Sequence, residues 1–370
     1  MKFQSINFTC KSCGAPLKYS PVTSSLECEF CSSTQPIEQS NEIIHEYDFQ
    51  EALVYLDQKH AQEINKEITC NNCAAEFLLT PYSISSNCPY CGTPAITDFV
   101  KEITPKSLLP FTLTHKEAKE HFKKWIGSLW FAPSKLKEYI DGDEKLKGYY
   151  LPHWTFDSNT TTHYQGQRGD IYYVTVERTV VIDGRSQRIR QREPRIKWTP
   201  VYGTVQNSFD DITIGASKTI SRTILDNLAP WDTTKLVPFN EKYLLGFESE
   251  EYTIGLDNGF EYAKVKMDRV ITQTIQAHIG GDQQLITAKK TNYHNTTYKN
   301  VLLPIWTAQF KYKDKVYNYA INAQTGKIAG ERPYSIIKIV FLIGFILLAL
   351  LGLFYLEENS QSLEGFVQLV

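Results

Sequence analysis

The chain has 370 residues, with Lys+Arg 39 against Asp+Glu 41 and a formal net charge of −2. A strongly basic nucleic-acid binder is excluded by bulk charge, though a local patch is not, and 42% hydrophobic with 22% charged residues excludes a disordered chain. The length allows two or three domains, and 13% aromatic residues with only 2 Met point to rigid, β-rich cores.

All eight Cys lie in the first 91 residues, as four Cys-x-x-Cys pairs: Cys10/Cys13, Cys28/Cys31, Cys70/Cys73 and Cys88/Cys91. Fourteen residues separate the pairs within each set, and the second set repeats the first at an offset of 60. A Cys-x-x-Cys turn supplies two thiolates, and two turns joined by a hairpin place four at tetrahedral corners, the arrangement Zn²⁺ takes. Two zinc ribbons are therefore expected, over residues 1–36 and 67–98. Each holds one structural Zn²⁺, because four thiolates leave no open position for catalysis. Disulfide staples and a redox dithiol are the alternatives, but disulfides of an exported domain would not crowd into one quarter of the chain. Reduced thiols place the ribbons in the cytosol. Gly14 after Cys13, Pro89 inside the last pair and Gly92 after Cys91 favour turns that aim N–H groups at sulfur, whereas Ser32 stands after Cys31.

Residues 37–66 read as a linker with a helix over 41–66. Asp48 and Glu51 start it as a capping box, and Phe49, Leu53 and Leu56 mark one face. An α+β domain follows over 99–333. Thr114 with Glu117 opens a helix whose apolar stripe is Ala118, Phe122, Trp125, Ile126 and Leu129. From Tyr149 the pattern turns strand-like, and 171–182, Asp183-Gly184 and 185–198 read as one hairpin. A second helix over 257–279 carries Phe260, Ala263, Met267, Val270 and Ile271 on one side and stops at Gly280-Gly281. Strands return over 284–328, with turns at Lys313-Asp314-Lys315 and Gln324-Thr325-Gly326. Leu109-Pro110-Phe111, a helix and Leu151-Pro152-His153-Trp154-Thr155 are echoed by Val237-Pro238-Phe239, a helix and Leu303-Pro304-Ile305-Trp306-Thr307. The echo predicts a duplicated antiparallel α+β unit.

Residues 336–356 are apolar all round, and 339–356 carry no charge, enough to cross about 30 Å of hydrocarbon as one helix. Lys327, Arg332 and Lys338 precede this segment, and Glu357, Glu358 and Glu364 follow it. The positive-inside rule then predicts a single-pass membrane protein. Its bulk is cytoplasmic and residues 357–370 form a short extracytoplasmic tail. No N-terminal segment reads as a signal peptide.

Neither a His-Glu-x-x-His nor a Gly-x-Ser-x-Gly motif occurs, and no catalytic residue or small-molecule substrate is predicted. His153 and His163 flank an aromatic strand region where they could meet. Asp210-Asp211 could hold a cation, although adjacent strand residues face opposite ways and a turn or solvated edge is the alternative. Between 185 and 197 lie six basic residues, Arg185, Arg188, Arg190, Arg192, Arg195 and Lys197, against the single acid Glu193. Arg188, Arg190 and Arg192 alternate, so a strand projects them on one face. A solvated edge-protecting face, an anionic lipid surface, nucleic acid and an acidic protein are the readings left open.

Several segments resemble a group of bacterial membrane proteins with zinc ribbons of the transcription-factor-IIB type. These are often labelled as related to primosomal protein N-prime, the replication-restart helicase. The matching stretches are 10–15 (CKSCGA), 150–157 (YLPHWTFD), 165–169 (QGQRG), 197–203 (KWTPVYG), 209–211 (FDD), 279–282 (IGGD), 302–306 (LLPIW) and 322–335 (NAQTGKIAGERPYS), nearly the whole chain. The resemblance implies architecture more than activity. Genes of the group often neighbour membrane-stress proteins of the phage-shock and SPFH (stomatin-like) kinds, which implies a scaffold for cytoplasmic protein partners. The helicase label fails on the residues. Gly215-Ala216-Ser217-Lys218-Thr219 lacks the Gly before Lys and the loop length of a phosphate-cradling motif. The expectation is a non-enzymatic, membrane-anchored scaffold. The alternative is a membrane-tethered nucleic-acid-binding factor for replication or transcription, without helicase activity.

Overall fold

The structure, a computed structural model, describes all residues except 1, 5–7, 39, 41, 58–65, 81, 134–135, 137–145, 183–184, 314 and 368–370, and gives backbone alone at 2–4, 181–182, 185 and 354–367. Its α-helices are α1 (Phe49–Asp57), α2 (His115–Ser128), α3 (Arg222–Leu228), α4 (Leu256–Ile279) and α5 (Ile336–Val367). The long strands are β1 (Lys147–Ile182), β2 (Arg185–Gly215), β3 (Gln283–Tyr312) and β4 (Lys315–Asn322). The class is α+β. The chain separates into two compact units interleaved in sequence. The first comprises Met1–Pro110, Tyr150–Arg222 and Asp232–Pro304, and the second Phe111–Tyr149, Thr223–Trp231 and Ile305–Val370.

In the first unit β1 and β2 form one antiparallel hairpin, paired from His153 opposite Gly215 to Ile182 opposite Arg185, with a bulge between Phe156 and Ser158. The expected hairpin is thus the outer part of a longer one. Two residues join the strands, as Asp183-Gly184 requires, and that turn itself lies outside the described residues. Over the root of the hairpin lies α4. Leu256, Phe260, Ala263, Met267, Ile271, Ile275 and Ile279 are buried against Trp154, Phe156, Val205, Phe209 and Ile214. Each step of four residues advances about 40° round a helix, so the buried stripe curves with the twisted hairpin. Val270, expected on this stripe, lies about 100° from Ile271 and is exposed.

The sheet of this unit runs Val237–Pro238, Ser107–Leu108, β3, β1, Glu248–Glu250, Ser83–Asn87 and Pro94–Ile96, with β2 beside β1. Its last two strands belong to the second ribbon, which is therefore an edge of the main sheet. A buried ion pair fastens this edge. Lys66 Nζ lies 3.3 Å from Glu251 Oε2 and donates to the carbonyls of Ser83 and Asp98. Glu251 Oε1 accepts from the N–H groups of Val100 and Lys101. A buried pair persists when its remaining donors and acceptors are satisfied in this way. The first ribbon has its own sheet of Lys18–Ser20, Ser25–Glu27 and Thr34–Gln35. Tyr19 docks it, donating its N–H to the carbonyl of Leu245 and packing its ring 5.2 Å from that of Tyr243 at a tilt of 58°.

The linker helix begins at Phe49, with Asp48 accepting from the N–H of Glu51 as expected, but 42–48 are not helical. Tyr47–Asp48 pair instead with Thr297 and Tyr298 of β3, a tertiary ladder that outweighs local helix preference. The end of the expected helix, 58–65, lies outside the described residues.

In the second unit the outer part of β3 pairs with β4, and β4 with Ile328–Gly330. Helix α2 has the expected capping box, and Ala118, Phe122, Ile126 and Leu129 are buried. Phe122 stacks on Tyr319 at 4.0 Å. Gly326 takes a left-handed φ of 75° in the expected turn, and Asp314 of the other turn lies outside the described residues. Helix α5 is long and apolar enough to cross a membrane. Over Ile336–Leu353 its mean hydropathy is 2.9 and none of that window is buried. The helix runs on past the apolar stretch to Val367.

Both units carry the same local device. In the first, Trp154 lies opposite Ile214, and its indole N–H donates at 2.9 Å to the carbonyl of Ile254, just before α4. Thr253 and Ile254 donate to the carbonyl of Ala216. In the second, Trp306 lies opposite Ile321, and its indole N–H donates at 2.9 Å to the carbonyl of Leu113, just before α2. Thr112 and Leu113 donate to the carbonyl of Ala323. The fourth residue of each helix is small, Gly259 or Ala118, and a Cβ at Gly259 would meet the Trp154 ring at 2.6 Å.

Candidate metal centres

Four turns of identical build hold the eight thiols. The first Cys of each pair donates its N–H to the carbonyl five residues on, and its own carbonyl accepts from the N–H four residues on. The donor–acceptor pairs are Cys10/Ala15 and Gly14/Cys10, Cys28/Ser33 and Ser32/Cys28, Cys70/Ala75 and Ala74/Cys70, and Cys88/Thr93 and Gly92/Cys88. The residue after each second Cys is left-handed, with φ of 75° at Gly14, 56° at Ser32, 58° at Ala74 and 72° at Gly92. Sequence reading noted the glycines and Ser32. It passed over Ala74, whose place after Cys73 was the available signal.

The turns bring Cys10, Cys13, Cys28 and Cys31 together, and likewise Cys70, Cys73, Cys88 and Cys91, with all four sulfurs of each set within 4.8 Å of one another. Sγ separations are 3.6 Å for Cys10–Cys31, 3.5 Å for Cys13–Cys28, 3.7 Å for Cys70–Cys91 and 3.8 Å for Cys73–Cys88. Sulfurs about 2.3 Å from a tetrahedral metal stand about 3.8 Å apart, whereas a disulfide needs about 2.05 Å. The cysteines are free thiols, and the donor set and spacing fit two metal ions, consistent with zinc.

Electrostatics give the same answer. The Ser33 hydroxyl, 3.0 Å from Cys10 and 3.2 Å from Cys31, pulls Cys10 down to about 5 and lowers Cys31. Thr93, 3.2 Å from Cys91, pulls that thiol to about 6. Cys13 goes up to about 12 although the N–H of Ala15 works the other way, because Cys28 and Cys31 crowd it. Cys73 is also pushed to about 12, against the N–H of Ala75, by burial and its neighbouring thiols. Burial raises Cys88. Four sulfurs this close cannot all ionise unaided, and a dication removes the conflict.

The basic segment does not act as one cluster. Cross-strand pairing puts Arg188, Arg190 and Arg192 on one face of the hairpin, opposite Thr179, Glu177 and Thr175. Arg195 and Lys197 belong to the other face by register, as does Arg185, whose side chain is not described. Arg190 is paired with Glu177 at 3.2 Å. Beyond Asp170 and Lys197 the described side chains of the hairpin are exposed or half-exposed on both faces. Towards its root the Arg face becomes apolar, through Tyr173, Ile196, Ile171 and Trp198. A Cβ on Gly169 would meet Trp198 at 2.9 Å, which explains the glycine in that stretch.

Other sequence candidates separate. His153 and His163 sit ten residues apart on one strand, about 33 Å, and do not meet. The first binds the carbonyl of Leu151 and the second the hydroxyl of Thr204. Asp210 and Asp211 occupy the β1–β2 bulge, where Asp211 has a φ of 50°. Asp210 gathers with Glu46 and Asp157, and Lys299 holds Asp211 at 2.7 Å and Glu46 at 3.1 Å. Burial and the bond to Glu46 raise Asp157 to about 6, and the same bond lowers Glu46. Glu250 takes the hydroxyls of Ser217 and Thr219, so a carboxylate stands where a phosphate-cradling loop would need its donors free.

Over 342 residues the chain is 25% identical to a Bacillus subtilis (strain 168) protein described as uncharacterized protein YdjG, covering 89% of this chain and 91% of the relative. No family model and no solved structure matches it.

Proposed function

We propose that the protein is a non-enzymatic, single-pass scaffold of the bacterial plasma membrane whose two zinc ribbons dock cytoplasmic proteins. The observation that carries this reading is a pair of exposed aromatics. Phe30 (79% exposed) and Tyr90 (71%) stand at the same place in the two ribbons, one residue before Cys31 and Cys91. A large aromatic held by a metal-fixed turn loses little entropy on binding, which makes it a good anchor for a protein partner. Tethering raises the local concentration, so two weak contacts suffice. The charge asymmetry about α5 supports a cytoplasmic bulk, and the resemblance to ribbon-bearing membrane proteins supports partners of the SPFH or phage-shock type. The paired Trp154 and Trp306 devices support an ancestral duplication.

The test is affinity capture of the full-length protein from membranes, wild type against Phe30→Ala/Tyr90→Ala. The proposal expects the variant to lose the partners while keeping two zinc ions per chain. An unchanged set of partners would refute it.

A second reading, a membrane-tethered nucleic-acid binder, is favoured by the face of Arg188, Arg190 and Arg192. It requires DNA or RNA binding that weakens steeply with salt and loses that slope when the three arginines become Ala. Failure to bind either at low salt ends it.

A further inference from the structure

We infer that the second unit holds a membrane phospholipid, its acyl chain lying in a groove between the end of α2 and the start of α5. The groove has a volume of about 730 Å³, and its walls are Ile126, Leu129, Trp130 and Pro133 on one side and Phe341 and Phe345 on the other. That volume suits a small-molecule site, roughly 300–1,000 Å³.

Polar bonds join the two walls at one end. Ser335 donates its N–H at 2.7 Å to the carbonyl of Phe131. Lys338 Nζ donates to the carbonyls of Trp130 at 3.1 Å and Ala132 at 2.8 Å. From that end the groove runs beside α5 to Phe345, seven residues or about 10 Å along the axis, most of one leaflet's hydrocarbon depth.

The occupant follows from where the groove opens. One wall is the exposed apolar helix itself, so a groove beside it faces acyl chains when that helix crosses a bilayer. Trp130 is 76% exposed at the rim, the interfacial position that indoles favour. Charge selects the other end of the ligand. Among the described residues of the lining Lys338 alone is charged, and two carbonyls use two of its three N–H donors, leaving one for a phosphate. Lys123 and Lys124 are exposed on the last turns of α2. A glycerophospholipid, with phosphate at Lys338 and one chain against Phe341 and Phe345, matches both features.

The inference rests on the membrane reading of α5. The full-length protein is reconstituted in nanodiscs of equal parts phosphatidylglycerol and phosphatidylcholine, returned to detergent and analysed by native mass spectrometry. A Cβ at Gly127 meets nothing within 4 Å, so Gly127→Leu fills the groove without a clash. Wild type should retain one phospholipid, and Gly127→Leu should reduce retention about tenfold. Leu348→Ala, on α5 but outside the lining, should retain it as wild type does. Equal retention by wild type and Gly127→Leu, or none by wild type in a protein that resists carbonate extraction from membranes, overturns the lipid site alone. Release by carbonate overturns the membrane reading and the site with it.

Discussion

Ser32 and Ala74 hold a left-handed backbone that costs a residue with a Cβ about 1 kcal/mol, where Gly14 and Gly92 hold it freely. Ser32→Gly and Ala74→Gly should therefore each stabilise the metal-bound ribbon by about 0.5–1 kcal/mol. Gly14→Ala should cost as much, although nothing lies within 4 Å of its Cβ. Thermal unfolding with zinc present decides, and a destabilised Ser32→Gly would contradict the strain argument. Ser33 and Thr93 tune the sulfurs they touch, so Ser33→Ala and Thr93→Val should weaken metal retention about tenfold in chelator competition. Asp157 offers a pH test. Its folded value, about 6, lies above its ordinary 3.8, so the folded state binds the extra proton and stability falls as pH rises across that window. Asp157→Asn should remove this slope, gaining on the order of 1 kcal/mol over wild type at pH 7, discounted because the carboxyl is half exposed, and about nothing at pH 4. The difference between the two proteins at each pH also cancels any loss of metal by acid. A slope that survives in the variant would place the titration elsewhere.

At the scale of elements, α4 and its indole make the sharpest contrast. Ile271→Ala should cost about 2–4 kcal/mol through the cavity it leaves, while the neighbouring Val270→Ala should stay within about 0.5 kcal/mol. Gly259→Ala should destabilise although alanine is the better helix former, because the added methyl meets the Trp154 ring. Denaturant unfolding measures all three, and a neutral Gly259→Ala would show that the indole can shift. The periods of α2 and α4 were legible because each packs along one face. The root of the β1–β2 hairpin was not. Its strands are buried over 150–156 without alternation, and only the tip carries a turn signal.

Across the molecule, the two ribbons should respond differently to metal removal. The second ribbon continues the main sheet and is fastened by Lys66 and Glu251. Chelation should therefore expose Ser83–Asn87 and Pro94–Ile96 to hydrogen exchange while α4 stays protected. Concerted loss of α4 would mean that metal holds the whole first unit. The cysteine sites were readable because their ligand spacing is local. The trio of Glu46, Asp157 and Asp210 was not, since a bulge and a docked linker strand assemble it from distant positions. The echo around Trp154 and Trp306 was readable as words. Its wiring was hidden, because the indoles reach carbonyls 100 and 193 positions away.

That wiring bears on how the polypeptide can be divided. The first unit needs β1 and β2 from before Trp231 and α4 from after it, while the second needs α2 from before and β4 from after. A nick between Trp231 and Asp232 therefore yields two pieces that are each incomplete. Synthesised separately they should stay unfolded, and synthesised together they should find each other and rebuild both bodies, an obligate split-chain complementation.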